Sequence, residues 1–495
     1  MDTPSATPAP AWRALLALAG VKLAIHLPLA GAYGFHRDEP YYLACGRRLA
    51  WGYVDHPPLA PLVARGVEEL FGPSLVALRA VPALLGAILV VLAGLMAREM
   101  GGRGWAQALA GVAVIASPVF LLTHHLYQTV VFDQLAWAAG TLVVLRVTGG
   151  GDRRLWLAVG AIAGAGLLAK HTVALFGFGL VAGLLATPHR RQLASPWPWA
   201  GGALAFLIFL PNLLWQAAHG WPTLEFARHN NARVAEEMGP GAILGIQAAF
   251  LGPLVLALFV AGLVFLFGRG GRRFRWLAWL WLAVTVLLLV LGGKPYYPAP
   301  SWPAVLAAGA VLVERRAAAR GWRRLRVAVP AAVAAASLPL VWFALPVVPR
   351  EVYARHQEAW PHEEFAEEIG WRELAEQVAA VHRGLPPGER ERAVLLTDSY
   401  GEAAALELLA PRYRLPAVTS GHNNYALWGP PATDVVIAVA WSRRRLDAAF
   451  AEVEEVARVT NRLGIVNESS QQAIYVCRRP RRPWAELWPE LRFFV

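Results

Sequence analysis

Apolar and polar positions fall in long blocks over roughly the first 350 residues. The apolar blocks approach the length of about 20 residues that a helix needs to cross about 30 Å of hydrocarbon. Eleven of them read as membrane-spanning helices: 12–32, 76–96, 105–123, 128–147, 155–169, 172–188, 198–215, 242–267, 276–292, 299–314 and 327–347. The first run lacks a small-residue cleavage site and reads as a retained span rather than a signal peptide. Beyond residue 349 charge rises and the blocks shorten. Trp371–His382 reads as an amphipathic helix, Ala393–Thr397 and Val435–Ala440 as buried strands, Ala448–Val459 as a second helix and Ala473–Cys477 as a last strand. Alternating strands and helices predict a small α/β domain at 349–495, behind a membrane domain at 1–348.

The short loops set the orientation. Arg98 and Arg103, Arg153 and Arg154, Arg190 and Arg191, Arg269 to Arg275, and Arg315 to Arg326 occupy every second loop. By the positive-inside rule these loops are cytoplasmic, so the N-terminus lies inside and the α/β domain outside. Composition agrees: 56% hydrophobic and 16% charged residues are too apolar and too weakly charged for a soluble domain, a disordered chain or a disulfide-stapled scaffold. A net charge of +12 would suit a nucleic-acid binder. Topology explains it instead, and nucleic acid is not an expected partner. Only Lys22, Lys170 and Lys294 are lysines. The last two map to the outer face, where topology calls for no positive charge. Cys45 and Cys477 read as separate buried or lipid-facing thiols.

Three outer segments are long: 33–75, 213–241 and 349–495. In the first, Tyr41–Trp51 and Ala60–Phe71 read as helices lying on the membrane surface, since both mix aromatic, Leu and Arg residues. Asp38 could cap the first of them.

Candidate chemistry gathers on this side. Asp38 and Glu39 are adjacent carboxylates that could act as a general base or bind an acceptor. Asp55-His56-Pro57-Pro58 holds an Asp and a His rigidly, and such a pair can ligate a divalent metal if a third ligand comes from elsewhere. Asp133 falls inside an apolar run, where an ionisable residue is costly and functional by default. His124-His125 reads as a marker of the water interface. Lys170-His171 and Lys294-Pro295-Tyr296-Tyr297-Pro298 close two spans at the outer face. Lys with Tyr could hold a lipid phosphate, or the same residues could anchor in the interface. Segment 213–241 adds His229 and Arg233 as a polar loop. In the α/β domain, Asp398-Ser399-Tyr400-Gly401-Glu402 follows a strand and opens a helix, and the loop Ser420–Tyr425 offers His422, Asn423 and Tyr425 to an acceptor.

In order and topology these landmarks resemble the bacterial family-39 type glycosyltransferases, relatives of protein O-mannosyltransferases and aminoarabinose transferases. The resemblance rests on Asp38-Glu39 in the first outer loop, Asp55-His56-Pro57-Pro58, Asp133 in the fourth span, Leu168-Ala169-Lys170-His171 and Lys294–Pro298. It implies the GT-C membrane fold and transfer of a sugar from a polyprenyl-phosphate donor to a glycan, lipid or protein acceptor at the outer face, with inversion. It implies Asp38 as catalytic base and Asp133 as a second important acid. It also implies a divalent metal on Asp55 and His229. The aminoarabinose branch contacts the lipid phosphate through a Lys where this chain has His56. Lys294, Tyr296, Tyr297 and Arg233, with Lys170 and His56 itself, are then the phosphate candidates. A transporter or lipid flippase is the alternative reading of an intramembrane Asp among Gly-rich spans.

Overall fold

The computed structural model of the protein describes residues 7–359 and 364–495. Its first part is helical: α1 Trp12–His26, α2 Asp38–Arg47, α3 Leu59–Phe71, α4 Leu75–Glu99, α5 Gly104–Ala116, α6 Pro118–Thr123, α7 Thr129–Thr148, α8 Leu155–Leu167, α9 Val173–Leu185, α10 Pro196–Ala218, α11 Pro222–Glu237, α12 Pro240–Leu251, α13 Pro253–Phe267, α14 Arg275–Leu291, α15 Trp302–Ala319 and α16 Leu325–Ala344. Among the described residues six helical stretches are long and apolar enough to cross a membrane, or up to eight if two bent pairs each count as one span. The shorter α5 and α8 are also apolar. Every one of the eleven apolar runs holds a helix or a broken pair. The breaks have local causes. Between α12 and α13, Gly252 turns at φ 76° and Pro253 donates no N–H, and the pair bends by 106°.

Small residues set the closest crossings. A Cβ at Gly160 of α8 would land on the carbonyl of Gly201 in α10, and one at Gly262 of α13 on that of Val305 in α15. Segment 213–241, expected as a polar loop, is instead mostly the end of α10 and all of α11.

The outer segment 33–75 folds as α2 and α3. α3 exposes Leu62, Leu70 and Phe71, as an interfacial helix should. α2 does not lie on a membrane surface. Its residues from Glu39 to Gly46 are all buried, because the C-terminal domain covers the face that the sequence left for lipid. Asp38 sits in the first turn of α2, and no side chain caps that helix.

The C-terminal domain contains α17 Arg350–Arg355, α18 Trp371–Gly384, α19 Pro387–Arg390, β1 Val394–Thr397, α20 Tyr400–Tyr413, β2 Val418–Ser420, α21 Asn423–Trp428, β3 Val435–Val439, α22 Arg443–Ala449, β4 Phe450–Arg458, β5 Ala473–Pro480 and α23 Trp484–Leu491. The sheet runs β2-β1-β3-β5-β4. β1 lies parallel to β2 and β3, and β5 antiparallel to β3 and β4. The helix expected at Ala448–Val459 is a correction: after Ala449 the chain becomes edge strand β4. Phe450, Val453 and Ala457 fall at helical spacing, but pairing with β5 overrides it, with Glu452 opposite Arg478 and an irregularity between Glu455 and Ala457. Cys45 and Cys477 are buried and unpaired.

One buried ion cluster joins the membrane domain to the C-terminal domain. Arg79 of α4 donates through Nε to Glu39 Oε1 (2.8 Å) and through Nη2 to Glu39 Oε2 (2.9 Å) and Glu368 Oε2 (3.0 Å). All three side chains have no exposure. Glu39 also accepts from the backbone N–H of His36 (2.8 Å) and Tyr127 (3.0 Å). His125 Nε2 lies 3.2 Å from Arg79 Nη1. Both His124 and His125 are buried and do not mark the water interface, because α4 and this cluster cover them.

Burial raises the Glu368 carboxyl to about 7 against the pull of Arg79, with Glu39 adding to the rise. A carboxyl raised in the folded state stabilises the fold fully below its unfolded value, and that contribution is lost as pH climbs through about 7. The thermal midpoint of the detergent-solubilised protein should therefore fall between about pH 5 and about pH 8, and fall less in Glu368→Gln. Arg79→Ala strands buried carboxylates at a cost of about 3–5 kcal/mol. It should lower the midpoint more at the higher pH.

Candidate active site

Asp38 is the carboxylate that the fold leaves available. Its side chain is 23% exposed, whereas neighbouring Glu39 is sealed against Arg79. Glu39, expected beside Asp38 as a catalytic carboxylate, is thus part of the scaffold. Asp38 Oδ1 accepts a 2.7 Å hydrogen bond from Tyr400 Oη. Oδ2 faces longer contacts, 3.4 Å to Gln128 Nε2 and 3.8 Å to His36 Nδ1. Burial pulls His36 down, but its 2.9 Å pairing with Glu364 and the charges of Asp38 and Glu39 outweigh it and raise the imidazole to about 9. A positive charge therefore stands beside Asp38 at neutral pH.

Cations surround this carboxylate at longer range. Lys294, in the turn after α14, lies in the fields of Asp38, Arg233, Glu364 and Arg37. Burial and the neighbouring Arg233 lower its ammonium, and Asp38 opposes them. Arg233 reaches the site from α11. Lys170, between α8 and α9, lies in the fields of both Asp133 and Lys294. Its Nζ stands over the rings of Tyr296 (5.0 Å) and Tyr297 (5.3 Å), a cation–π arrangement. Asp133 is buried in α7, and its Oδ2 accepts from Thr172 Oγ1 at 2.8 Å. Its Oδ1 has no hydrogen-bond partner. Asp38, Lys294, Lys170 and Asp133 are thus linked in series, with Tyr296, Tyr297 and Arg233 at the same cluster.

The Asp55-His56 segment lies beside α2. Asp55 Oδ1 accepts from Tyr41 Oη (2.9 Å), and burial raises its carboxyl, opposed by His56. His56 packs its ring among Tyr41, Tyr42 and Tyr53, and its Nε2 is buried without a hydrogen bond. His229, the second metal ligand that the resemblance implies, is exposed and pairs its Nδ1 with the carbonyl of Phe494 at 2.9 Å. Among the described residues no group of three or more His, Cys, Asp and Glu side chains could hold a metal ion. The residues present do not fit the implied metal, and no step below runs through one.

Of the C-terminal candidates, His422 stacks on Phe493 and bonds the carbonyl of Val495, and burial lowers its imidazole to about 4. Asn423 turns the chain at φ 47° and reaches the same carbonyl with Nδ2 (3.4 Å). Tyr425 donates to Glu407 (2.8 Å) and fixes α21 on α20. None of the three touches Asp38. The residues of this domain that reach α2 by hydrogen bonds near Asp38 include Tyr400 and also Asn424, which hydrogen-bonds Tyr41 and the backbone of Val54, while Glu407 pairs with Arg47 at the other end of the helix. Arg79 was overlooked too. An Arg in the apolar stretch Leu75–Leu85 carries the same signal that marked Asp133.

The fold is GT-C: a multi-pass helical membrane protein with a small C-terminal sheet domain. It aligns with ArnT from Cupriavidus metallidurans at a TM-score of 0.59, with 18% identity over 94% of this chain and 97% of that one. The same protein bound to undecaprenyl phosphate gives 0.58 at 17% identity, over the same shares of both chains. Residues 55–215 match the family described as dolichyl-phosphate-mannose-protein mannosyltransferase. Lipid A galacturonosyltransferase RgtD of Rhizobium johnstonii is 28% identical over 272 residues. That match covers 52% of this chain and 55% of the relative, so the chain spans about half the length of the curated relative it matches. The resemblance read from the ordered motifs is borne out, and the proteins matched are transferases rather than transporters.

Thr172→Val tests the Asp133 contact. Removing a hydrogen bond to a charged group costs about 1.5–3 kcal/mol. The thermal midpoint in detergent should drop, and the same substitution in an Asp133→Asn background should cost less.

Proposed function

We propose that this chain is an integral-membrane glycosyltransferase that moves a sugar from a polyprenyl-phosphate-linked donor to a hydroxyl-bearing acceptor at the extracytoplasmic face, with inversion at the anomeric carbon. The observation that carries the reading is an accessible Asp38 in the electrostatic field of Lys294, which itself lies in the fields of Arg233 and Lys170. Anion-binding groups and an accessible carboxylate thus share one region at the ends of several spans.

The polyprenyl chain lies between spans, and Lys294, Arg233, Lys170 and the Tyr296 and Tyr297 hydroxyls hold its phosphate. Cations there offset the charge that develops on the leaving phosphate as the sugar–oxygen bond breaks. The leaving group is already activated, so no general acid is needed. Asp38 Oδ2 takes the proton of the acceptor hydroxyl as its oxygen attacks from the opposite face. Asp133, through Thr172 and the field of Lys170, holds the α7–α9 side of the site. The arginine-rich loops support a bacterial inner-membrane orientation with the N-terminus cytoplasmic and residues 349–495 extracytoplasmic, behind a catalytic membrane domain at 1–348.

Two substitutions test this. Asp38→Asn should abolish product, read by mass spectrometry of envelope glycolipids and glycoproteins from cells carrying the variant or no gene, while expression and membrane insertion stay normal. Wild-type product from that variant would remove Asp38 as base. Lys294→Ala should weaken binding of undecaprenyl phosphate by tenfold or more, about the value of one hydrogen bond to a charged group, read by native mass spectrometry.

A further inference from the structure

We propose that the C-terminal domain completes the active site by placing the Tyr400 hydroxyl on Asp38 as a positioning residue. This rests on Asp38 being the base and adds what aims it.

The parallel strands β1 and β2 end in loops at one edge of the sheet, the edge where α/β folds form their ligand crevice. Here that crevice is filled by α2. After β1, Ser399 caps α20 with a reciprocal Ser399–Glu402 box, which fixes the direction in which Tyr400 leaves the backbone. The Tyr400 ring lies 4.5 Å from that of Tyr41 and meets His422 edge-on at 4.9 Å, so its position is held from both domains. After β2, Asn424 donates to Tyr41 Oη at 2.9 Å and accepts from the Val54 backbone at 3.1 Å. Arg37 and Glu468 form an ion pair across the same seam. The seam is therefore a built contact on both sides of Asp38.

Burial and the nearby charge of Asp38 push the Tyr400 hydroxyl well up, so it stays protonated and donates. The 2.7 Å bond occupies Oδ1. It leaves Oδ2, whose contacts to Gln128 and His36 are long, as the oxygen free to receive a proton. A carboxylate on the first turn of a helix rotates about its χ angles unless something pins one oxygen. Among the described residues Tyr400 is the short donor that does so.

Tyr400→Phe keeps the ring stacked and removes only the hydroxyl. Three measurements on the full-length chain decide the matter: product accumulation in a deletion strain after induction, the Kd for undecaprenyl phosphate by native mass spectrometry, and the thermal midpoint in detergent. The expected result is a roughly tenfold slower product rate with Kd unchanged and a midpoint that falls no further than that of Thr172→Val, since a charge-assisted hydrogen bond is worth about that factor. A wild-type rate for Tyr400→Phe alongside an inactive Asp38→Asn overturns this inference and leaves the proposed function standing. A rate loss matched by losses in Kd and midpoint makes Tyr400 merely structural and also overturns it. An active Asp38→Asn fails the parent reading and takes this one with it.

Discussion

Taking Arg79, Glu39 and Glu368 out of water costs several kcal/mol for each ion, and the charges offset that cost chiefly through one another. Arg79 comes from a membrane span, Glu39 from the first outer helix, and Glu368 from the approach to the C-terminal domain. None can be removed without stranding the others. The cluster therefore fixes three parts of the chain in one relative position. Asp38 is the next residue along α2 from Glu39. Its accessibility is a consequence of the lock: the neighbouring carboxylate is consumed by Arg79, and the turn that carries both cannot move.

The membrane domain was legible because its signal is long-range and one-dimensional. A run of apolar residues close to the bilayer thickness needs no partner to be recognised. Asp133 was legible for the same reason, as an expensive exception inside such a run. What the sequence hid was how outer segments pack on one another. α2 carries aromatic and Leu positions that suit a membrane surface equally well, and only the C-terminal domain decides that they are buried. The pairing of β4 with β5 is hidden similarly, since Phe450, Val453 and Ala457 repeat at helical spacing while the partner lies some 20 residues further on. Tyr400 sits in a motif that was noticed, but its target lies 362 residues away in sequence. No periodicity encodes that distance.

The site also shows why net charge was a poor guide and residue identity a better one. Arginines fill the alternate loops and report orientation. Lys170 and Lys294 lie at the opposite ends of their spans and converge with Tyr296 and Tyr297. A Lys ammonium is a compact point charge on a flexible stem, suited to following a phosphate that must arrive and leave, where the rigid fork of Arg suits a permanent pairing. The chain uses Arg79 for the permanent lock, and under the proposed function it sets Lys170 and Lys294, with Arg233, where the phosphate would come and go.

This arrangement gives the empty site an electrostatic logic. Lys294 stands in the fields of two carboxylates, Asp38 and Glu364, and two guanidiniums, Arg233 and Arg37, and His36 carries a further positive charge between Asp38 and Glu364. Without a donor Asp38 and Glu364 are the anions these cations face. Under the proposed function a lipid phosphate entering near Lys294 and Arg233 would add a further anion and share their field. On that reading Asp38 is then left facing the acceptor hydroxyl. Donor binding and release of the base would, on the same reading, be one rearrangement of charge. Under the proposed function this works only if Asp38 stays in place while its cations turn to the phosphate, and its shortest neutral contact is the Tyr400 hydroxyl at 2.7 Å, with the Gln128 amide further off at 3.4 Å.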